Sequence, residues 1–380
     1  MERDSARIPP LNMEHEKLTE TVWWRKNVYR ALDRSENPDT TLPRLLFVAP
    51  LSLRPRGACI QAELVSRHLR ADGWPVDFIS AGRLEEAFSG RLLRAVARSR
   101  ILHVFVSSLG QLVSMALPAV VLGRFYGRRV IIHMHSGELG DWAERWRWFM
   151  APVLRQADSV VVSSNHACEV LKEAGLHARV IECPVDIELF AARKIDKVQP
   201  HVVITGRLEP DANVSTVLRA FKLVKQKYPR AELTVVGDGS LRRQLEMLME
   251  DELIHGVALV GTVSRTDMRR ILERADIFVN ACSRSDIPVT LFEAQACGLP
   301  VITVRSRAVA EAVTDGVNGL ILDTSNHIEI ADQIVRLTED PALVSRISEA
   351  AIAASKKRGW GELKGRWSRL YTEILANRPG

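Results

Sequence analysis

The sequence predicts two doubly wound α/β domains, each a parallel sheet covered by helices, facing a central cleft. Three observations predict this. Short unbroken apolar runs alternate with helical stretches, as in strands buried on both faces. The alternation stops near residues 190–200 and then restarts. The chain has 380 residues, more than one hydrophobic core usually serves.

The elements follow in order. Residues 1–40 are polar, with Pro at 9, 10 and 38, and form an N-terminal extension. Within it, residues 18–32 could form an aromatic-basic amphipathic helix, resting either on a membrane or on the domain. The first domain, 41–190, opens with the strand Leu45–Ala49, followed by a helix from Ile60 to Asp72 that ends at Gly73. Further strands are expected at Val76–Ser80, Ile101–Val106, Val130–His133, Val160–Ser163 and Arg179–Glu182. The second domain, 191–359, begins after the charged stretch Ala192–Lys197. Its strands are expected at His201–Gly206, Leu233–Gly237, Val257–Val260, Ile277–Asn280, Val301–Val304 and Gly319–Leu322. A final helix over 360–380 carries Trp360, Trp367 and Tyr371.

Composition bounds the function. Apolar residues make up 46% and charged residues 26%, as in an ordinary globular protein, which excludes a fibrous or disordered chain. The net charge is +6. It is concentrated, because residues 91–155 hold ten Arg, no Lys and three acids. Such a face suits phosphates or anionic lipid, or is a solvated helix face. Nucleic acid is not expected as a partner, because no recognition motif is present. The five cysteines are scattered without a CxxC and read as buried thiols in a reducing, cytoplasmic compartment. Met1–Pro10 is charged, so no signal peptide is expected. Ile101–Gly123 lacks any charged residue but carries His103, Gln111 and Pro118, so a buried strand, loop and helix fit better than a membrane span.

Ligands in doubly wound sheets bind at the carboxyl ends of strands. Three such ends carry chemistry in the second domain. After Ile277–Asn280, the loop Ser283–Pro288 leads into a helix running from Val289 to Cys297 and stopped by Gly298. Its amino terminus would offer free N–H groups to a phosphate. Thr290 could add a hydroxyl, and Glu293, one turn on, could accept from a ribose diol. Arg207, in Thr205–Leu208, could grip a diphosphate. Val236–Gly239 is a glycine exit that admits a flat ring or a backbone.

In the first domain Arg54–Ala58 is a plausible phosphate loop, although not a G-x-G-x-x-G fingerprint. Ile131–Glu138 carries His133 and His135. The first reads as a core histidine and the second as the cleft candidate. No third ligand at metal spacing accompanies them. In Asp141–Met150, Trp142, Trp146 and Phe149 share one helix face, with Arg145 and Arg147 alongside. That face suits a membrane interface or a glycolipid, or is simply interior.

Together these motifs resemble the retaining GT-B glycosyltransferases, family 4 type (glycosyl transferases group 1). The match is strongest over 201–322, through Gly206-Arg207-Leu208, Val236-Gly237-Asp238-Gly239, Phe292–Ile302 and Val313–Gly319. The resemblance implies two Rossmann-like domains, with the C-terminal helix crossing back to the first. It implies sugar transfer from a nucleotide sugar, UDP- or GDP-linked, with retention and without metal or other cofactor. The acceptor would be a glycan or lipid-linked sugar of cell-surface polysaccharide or glycolipid biosynthesis, met in the cytoplasm or at the cytoplasmic face of the membrane. His135, Arg207 and Glu293 would be catalytic. Gly57, Arg207, Gly237, Ser285, Asp286, Ile287, Pro288, Val289, Thr290 and Glu293 would bind the donor.

Two positions depart from the family. Its lysine beyond the Arg207 turn is Ala212 here, and its first glutamate, eight residues before Glu293, is Ser285. A Lys–phosphate contact contributes about 1.5–3 kcal/mol. The departures leave open a catalytically weakened or non-catalytic GT-B partner subunit; a GT-B epimerase or phosphorylase is a further alternative.

Overall fold

A computed structural model describes residues 42–50, 57–81, 90–135, 139–195, 197–282 and 287–376. The expected extension helix at 18–32, Ser285 and Asp286 lie outside these residues.

Two six-stranded parallel sheets form the frame, each covered by helices, as the alternation predicts. The first contains β1 (Leu45–Pro50), β2 (Val76–Ala81), β3 (Ile101–Val106), β4 (Arg129–Met134), β5 (Ser159–Val162) and β6 (Arg179–Val180). Their order is β2-β1-β3-β4-β5-β6. The second contains β7 (His201–Thr205), β8 (Glu232–Val236), β9 (Val257–Gly261), β10 (Ile277–Asn280), β11 (Val301–Val304) and β12 (Leu320–Leu322). Their order is β12-β11-β10-β7-β8-β9. Each order reverses direction at its first strand, β1 or β7, which opens a crevice at the carboxyl edge there.

The central strands β1 and β3 are buried at every position. That burial on both faces is why they read as unbroken apolar runs. One face of the first sheet carries the helix Gly57–Ala71 and the C-terminal helix Trp360–Ala376. Trp367 and Tyr371 of the latter are fully buried beside Phe47 and Phe105. The other face packs the helices that follow β2, β3, β4 and β5. A single continuous core fills the second domain.

Two helices differ from the sequence reading. Residues 109–125 form one continuous helix with a π turn at Leu112–Ala116. Pro118 lacks the N–H that would continue the α ladder there, which accounts for the local widening. This helix is not wholly buried. Val113, Leu117, Val121 and Phe125 face solvent at four-residue spacing.

The expected helix over Asp141–Met150 is two helices, Leu139–Arg145 and Arg147–Arg155, broken at Trp146. Trp142 is buried in the core, while Trp146 and Trp148 are exposed. Trp142 and Phe149 both pack on the core of the first domain, while Trp146, at the break, leaves the face that periodicity assigned to all three. No helix among the described residues is long and apolar enough to cross a membrane.

Candidate active site

The loops at the carboxyl edges of the two sheets meet. Glu311, in the short helix after β11, reaches the start of the helix Asn165–Glu173, which follows β5. Its Oε2 accepts from the Asn165 backbone N–H (2.8 Å) and Nδ2 (3.1 Å), and its Oε1 from the His166 N–H (2.6 Å). A carboxylate there satisfies amides that have no partner in their own helix and meets the positive dipole end. The crevice between the sheets is therefore closed on one side by a contact between domains.

On the second domain the helix Val289–Ala296 begins just past β10, with Pro288 as its N-cap. Its first-turn amides have no intrahelical acceptor, so they form an anion-binding end at the crevice. Ile287 and Pro288 precede it, and Val289 and Thr290 form its first turn. The Thr290 hydroxyl is engaged with that of Thr205, at 2.5 Å, which fixes the helix to the end of β7. One hydrogen bond leaves the hydroxyl capacity for another.

Glu293 is buried, and Arg265 Nη1 donates to its Oε1 at 2.8 Å. Burial raises the Glu293 carboxyl above the ordinary carboxylate range, and the Arg265 charge opposes that rise. The guanidinium of Arg265 also lies over the Phe190 ring, 5.1 Å from its centroid. Arg265 is the first residue of the helix Arg265–Arg274, capped by Ser264 Oγ. Nothing local in the sequence marks it, and the reading from residues alone missed it.

Across the crevice lies Glu63, on the helix Gly57–Ala71. Desolvation raises its carboxyl above the ordinary carboxylate range, and the charges of Arg265 and Arg67 counter that rise. Arg67 in turn pairs with the buried carboxylate of Asp186 at 2.5 Å. Asp186 sits in the connection between the domains, and its Oδ1 accepts from the Leu189 N–H. Two ion pairs, Arg67–Asp186 and Arg265–Glu293, thus lie near one another, with Glu63 within the field of both arginines.

Arg207 follows β7, as expected of a strand-end residue. Its side chain is half exposed and lies 3.7 Å from the Asp211 carboxylate. Ala212 is buried in the short turn Pro210–Ala212 and presents no polar group.

Gly237 packs against the exit of β7. A Cβ there would stand 1.7 Å from the Gly206 carbonyl oxygen, and its φ is +138°. The close approach that the sequence expected here is made by the neighbouring backbone loop. Gly57 is exposed at the start of its helix, with open space where a Cβ would project. A phosphate could approach its backbone without displacing protein atoms.

His135 lies immediately beyond β4, half-buried, with Nδ1 3.8 Å from Cys183 Sγ. It stacks on His133, with ring centroids 4.1 Å apart. Burial lowers its pKa to about 4, so the ring is neutral near pH 7. Its Nε2 is buried and has no hydrogen-bond partner among the described residues. His133 is a core residue, as the alternation along the strand predicts. Both of its ring nitrogens are buried and have no hydrogen-bond partner among the described residues. All five cysteines are free thiols.

The arrangement offers a helix amino terminus and Arg207 to a diphosphate, a buried carboxylate to a diol, and a neutral imidazole at the opposite wall. Comparison with known proteins places this geometry. The model of the glycosyl transferases group 1 matches residues 185–354, and that of glycosyltransferase family 4 matches residues 67–189. A glycogen synthase of Mycobacterium tuberculosis is 25% identical over 62% of this chain and 61% of its own length. The chain therefore spans about six-tenths of that relative. A GDP-mannose-dependent monoacylated alpha-(1-6)-phosphatidylinositol monomannoside mannosyltransferase of Corynebacterium glutamicum is 27% identical over 71% of this chain and 76% of its own. The crystal structure of Anabaena Alr3699/HepE in complex with UDP-glucose superposes with a TM-score of 0.69. It shares 17% identity and covers 87% of this chain and 100% of that one. The chain belongs to the group 1 glycosyltransferases, and its two facing parallel sheets have the GT-B architecture.

Proposed function

We propose that the protein transfers a sugar from a nucleotide-sugar donor, UDP- or GDP-linked, to a glycan or lipid-linked acceptor in polysaccharide or glycolipid biosynthesis. One observation carries this reading. Arg207 and the amino terminus of the helix Val289–Ala296 stand at carboxyl ends of adjacent strands, β7 and β10, with Glu293 one turn further on. That places cation and free amides for a diphosphate beside a carboxylate for a ribose. The relatives support the donor class, because their names include UDP-glucose and GDP-mannose ligands.

In this reading Arg207 and the amides of Val289 and Thr290 stabilise charge building on the leaving diphosphate. Ile287 and Pro288 shape the approach to that helix end. Gly57 admits the diphosphate from the first domain. His135, neutral, contacts the donor sugar. The leaving phosphate takes the acceptor's proton on the face it departs from, so configuration is retained, and neither metal nor other cofactor takes part. The acceptor is met at the cytoplasmic face of a membrane.

A second reading is favoured by the Arg265–Glu293 pair together with Ala212. In it the chain binds its donor weakly and serves as a partner subunit. Calorimetric titration with UDP, GDP and ADP separates the two. Selective micromolar binding of UDP or GDP supports the transferase, and no binding to any of the three overturns it. With a donor identified, the anomeric configuration of the product tests retention.

A further inference from the structure

The helical layer over β3, β4 and β5 has an outer face that its inner face does not explain. Val113, Leu117, Val121 and Phe125 stand exposed at i, i+4 spacing along the whole helix 109–125, Phe125 with 80% of its surface in solvent. An ordinary surface helix would carry polar residues there. The next helices in the same layer add Trp146 and Trp148, the latter 72% exposed. Their rings lie 6.3 Å apart. Both groups rise from helices whose inner sides share one core, so they belong to one layer on one side of the sheet.

Six exposed arginines lie on the helices of this layer, Arg94, Arg98, Arg124, Arg145, Arg147 and Arg155. None of the six has a carboxylate within ion-pair distance among the described residues. The guanidinium groups of Arg147 and Arg155 converge beside Gly175, each with Nη2 within 4 Å of the position a Cβ would take there. With Trp148, Ala151, Pro152 and Glu144 they line an open groove of about 510 Å³. The exposed acids of these two helices are Asp141 and Glu144.

We infer that this face docks the protein on an anionic lipid bilayer. Trp146, Trp148 and Phe125 would enter the interfacial region, where amphipathic rings are favoured, and the Arg147–Arg155 groove would take a lipid phosphate. Charge complementarity selects the occupant. A second copy of the chain would bring the same uncompensated arginines to the contact, and like charges repel across an interface. The inference gives a place to the lipid-linked acceptor of the reading above, but it rests on the surface and not on donor turnover.

Sedimentation of the full chain with phosphatidylcholine vesicles, with and without phosphatidylglycerol, tests it. Binding is expected only to the anionic vesicles, weakening as salt rises. Arg147→Ala with Arg155→Ala should lower the partition coefficient about tenfold or more, since each arginine near such a surface adds to binding. Trp146→Ala with Trp148→Ala should lower it as well, with the thermal midpoint unchanged because both rings are exposed. Arg230→Glu, on the other domain, should have no comparable effect. Equal binding to both vesicle types, or none, overturns the inference. So does self-association abolished by these variants while vesicle binding persists. Calorimetry with nucleoside diphosphates, run without vesicles, keeps the two readings apart. A chain that binds donor but not vesicles loses only the membrane face, and one that binds vesicles but no nucleotide loses only the transferase.

Discussion

The carboxylate of Glu293 lies 2.8 Å from the guanidinium of Arg265, 28 residues away in the chain. This pair decides how the carboxylate at the crevice is presented. A buried carboxylate without a cation would take up a proton, and with Arg265 beside it the charge is compensated in place.

Arg265→Ala removes the compensating charge and leaves the carboxylate buried. Breaking such a pair costs about 3–5 kcal/mol when both partners are buried. Arg265 is 29% exposed, so a loss of about 2–4 kcal/mol is expected from urea unfolding. Glu293→Gln should cost less stability while lowering donor affinity. A fully stable Arg265→Ala protein would show that the pair contributes little.

Acid should destabilise the fold through the histidine stack. Burial pushes His103 and His133 well below the ordinary histidine value, with neighbouring imidazoles adding to the shift, and lowers His135 to about 4. In the unfolded chain these rings take up protons near 6.5, so the unfolded state binds more protons below that pH. Stability is therefore complete above pH 6.5 and falls as pH drops from 6.5 toward 4. Each site can contribute about 1.4 kcal/mol per pH unit in that window. Urea midpoints at pH 7.5 and 5 measure the slope, and His133→Phe should flatten it. An unchanged midpoint would remove the histidines as its source.

Glu311→Ala should loosen the contact between the domains. The lost interaction is a carboxylate on a helix amino terminus at the surface, about 0.3–1 kcal/mol. Small-angle scattering should show a larger radius of gyration, while the melting midpoint changes little. A large drop in stability with no change in dimensions would contradict its role as a domain clasp.

Ala212→Lys should tighten binding of the matching nucleoside diphosphate about tenfold, by supplying a charge-assisted contact of about 1.5–3 kcal/mol less the ordering of its side chain. Calorimetry measures this directly. Weaker binding would mean that the buried turn Pro210–Ala212 cannot carry the longer side chain to the crevice.

Gly237→Ala should destabilise by several kcal/mol. Its Cβ would overlap the Gly206 carbonyl oxygen, and its φ of +138° strains any side chain. Thermal unfolding would reveal it, and a normal midpoint would mean that the 206–208 loop can retreat without cost.

The sequence by itself determined the frame. Runs such as Ile101–Val106 and His201–Thr205 state buried parallel strands without reference to anything distant, because burial on both faces removes the polar alternation. Gly298 after Val289–Ala296 marks a helix end locally, so the helix terminus at the crevice was legible too. The exposed Trp148 was not, because the break at Trp146 changes the phase that periodicity must assume constant. Nor was the partner of Glu293. Only the tertiary structure decided that Arg265 would meet it, that Glu311 would clasp Asn165 from 146 residues away, and that Tyr371 would reach His103 across 268. Those contacts depend on how whole elements cross and pack. Local periodicity records which face of an element is buried and says nothing about which distant side chain comes to lie against it.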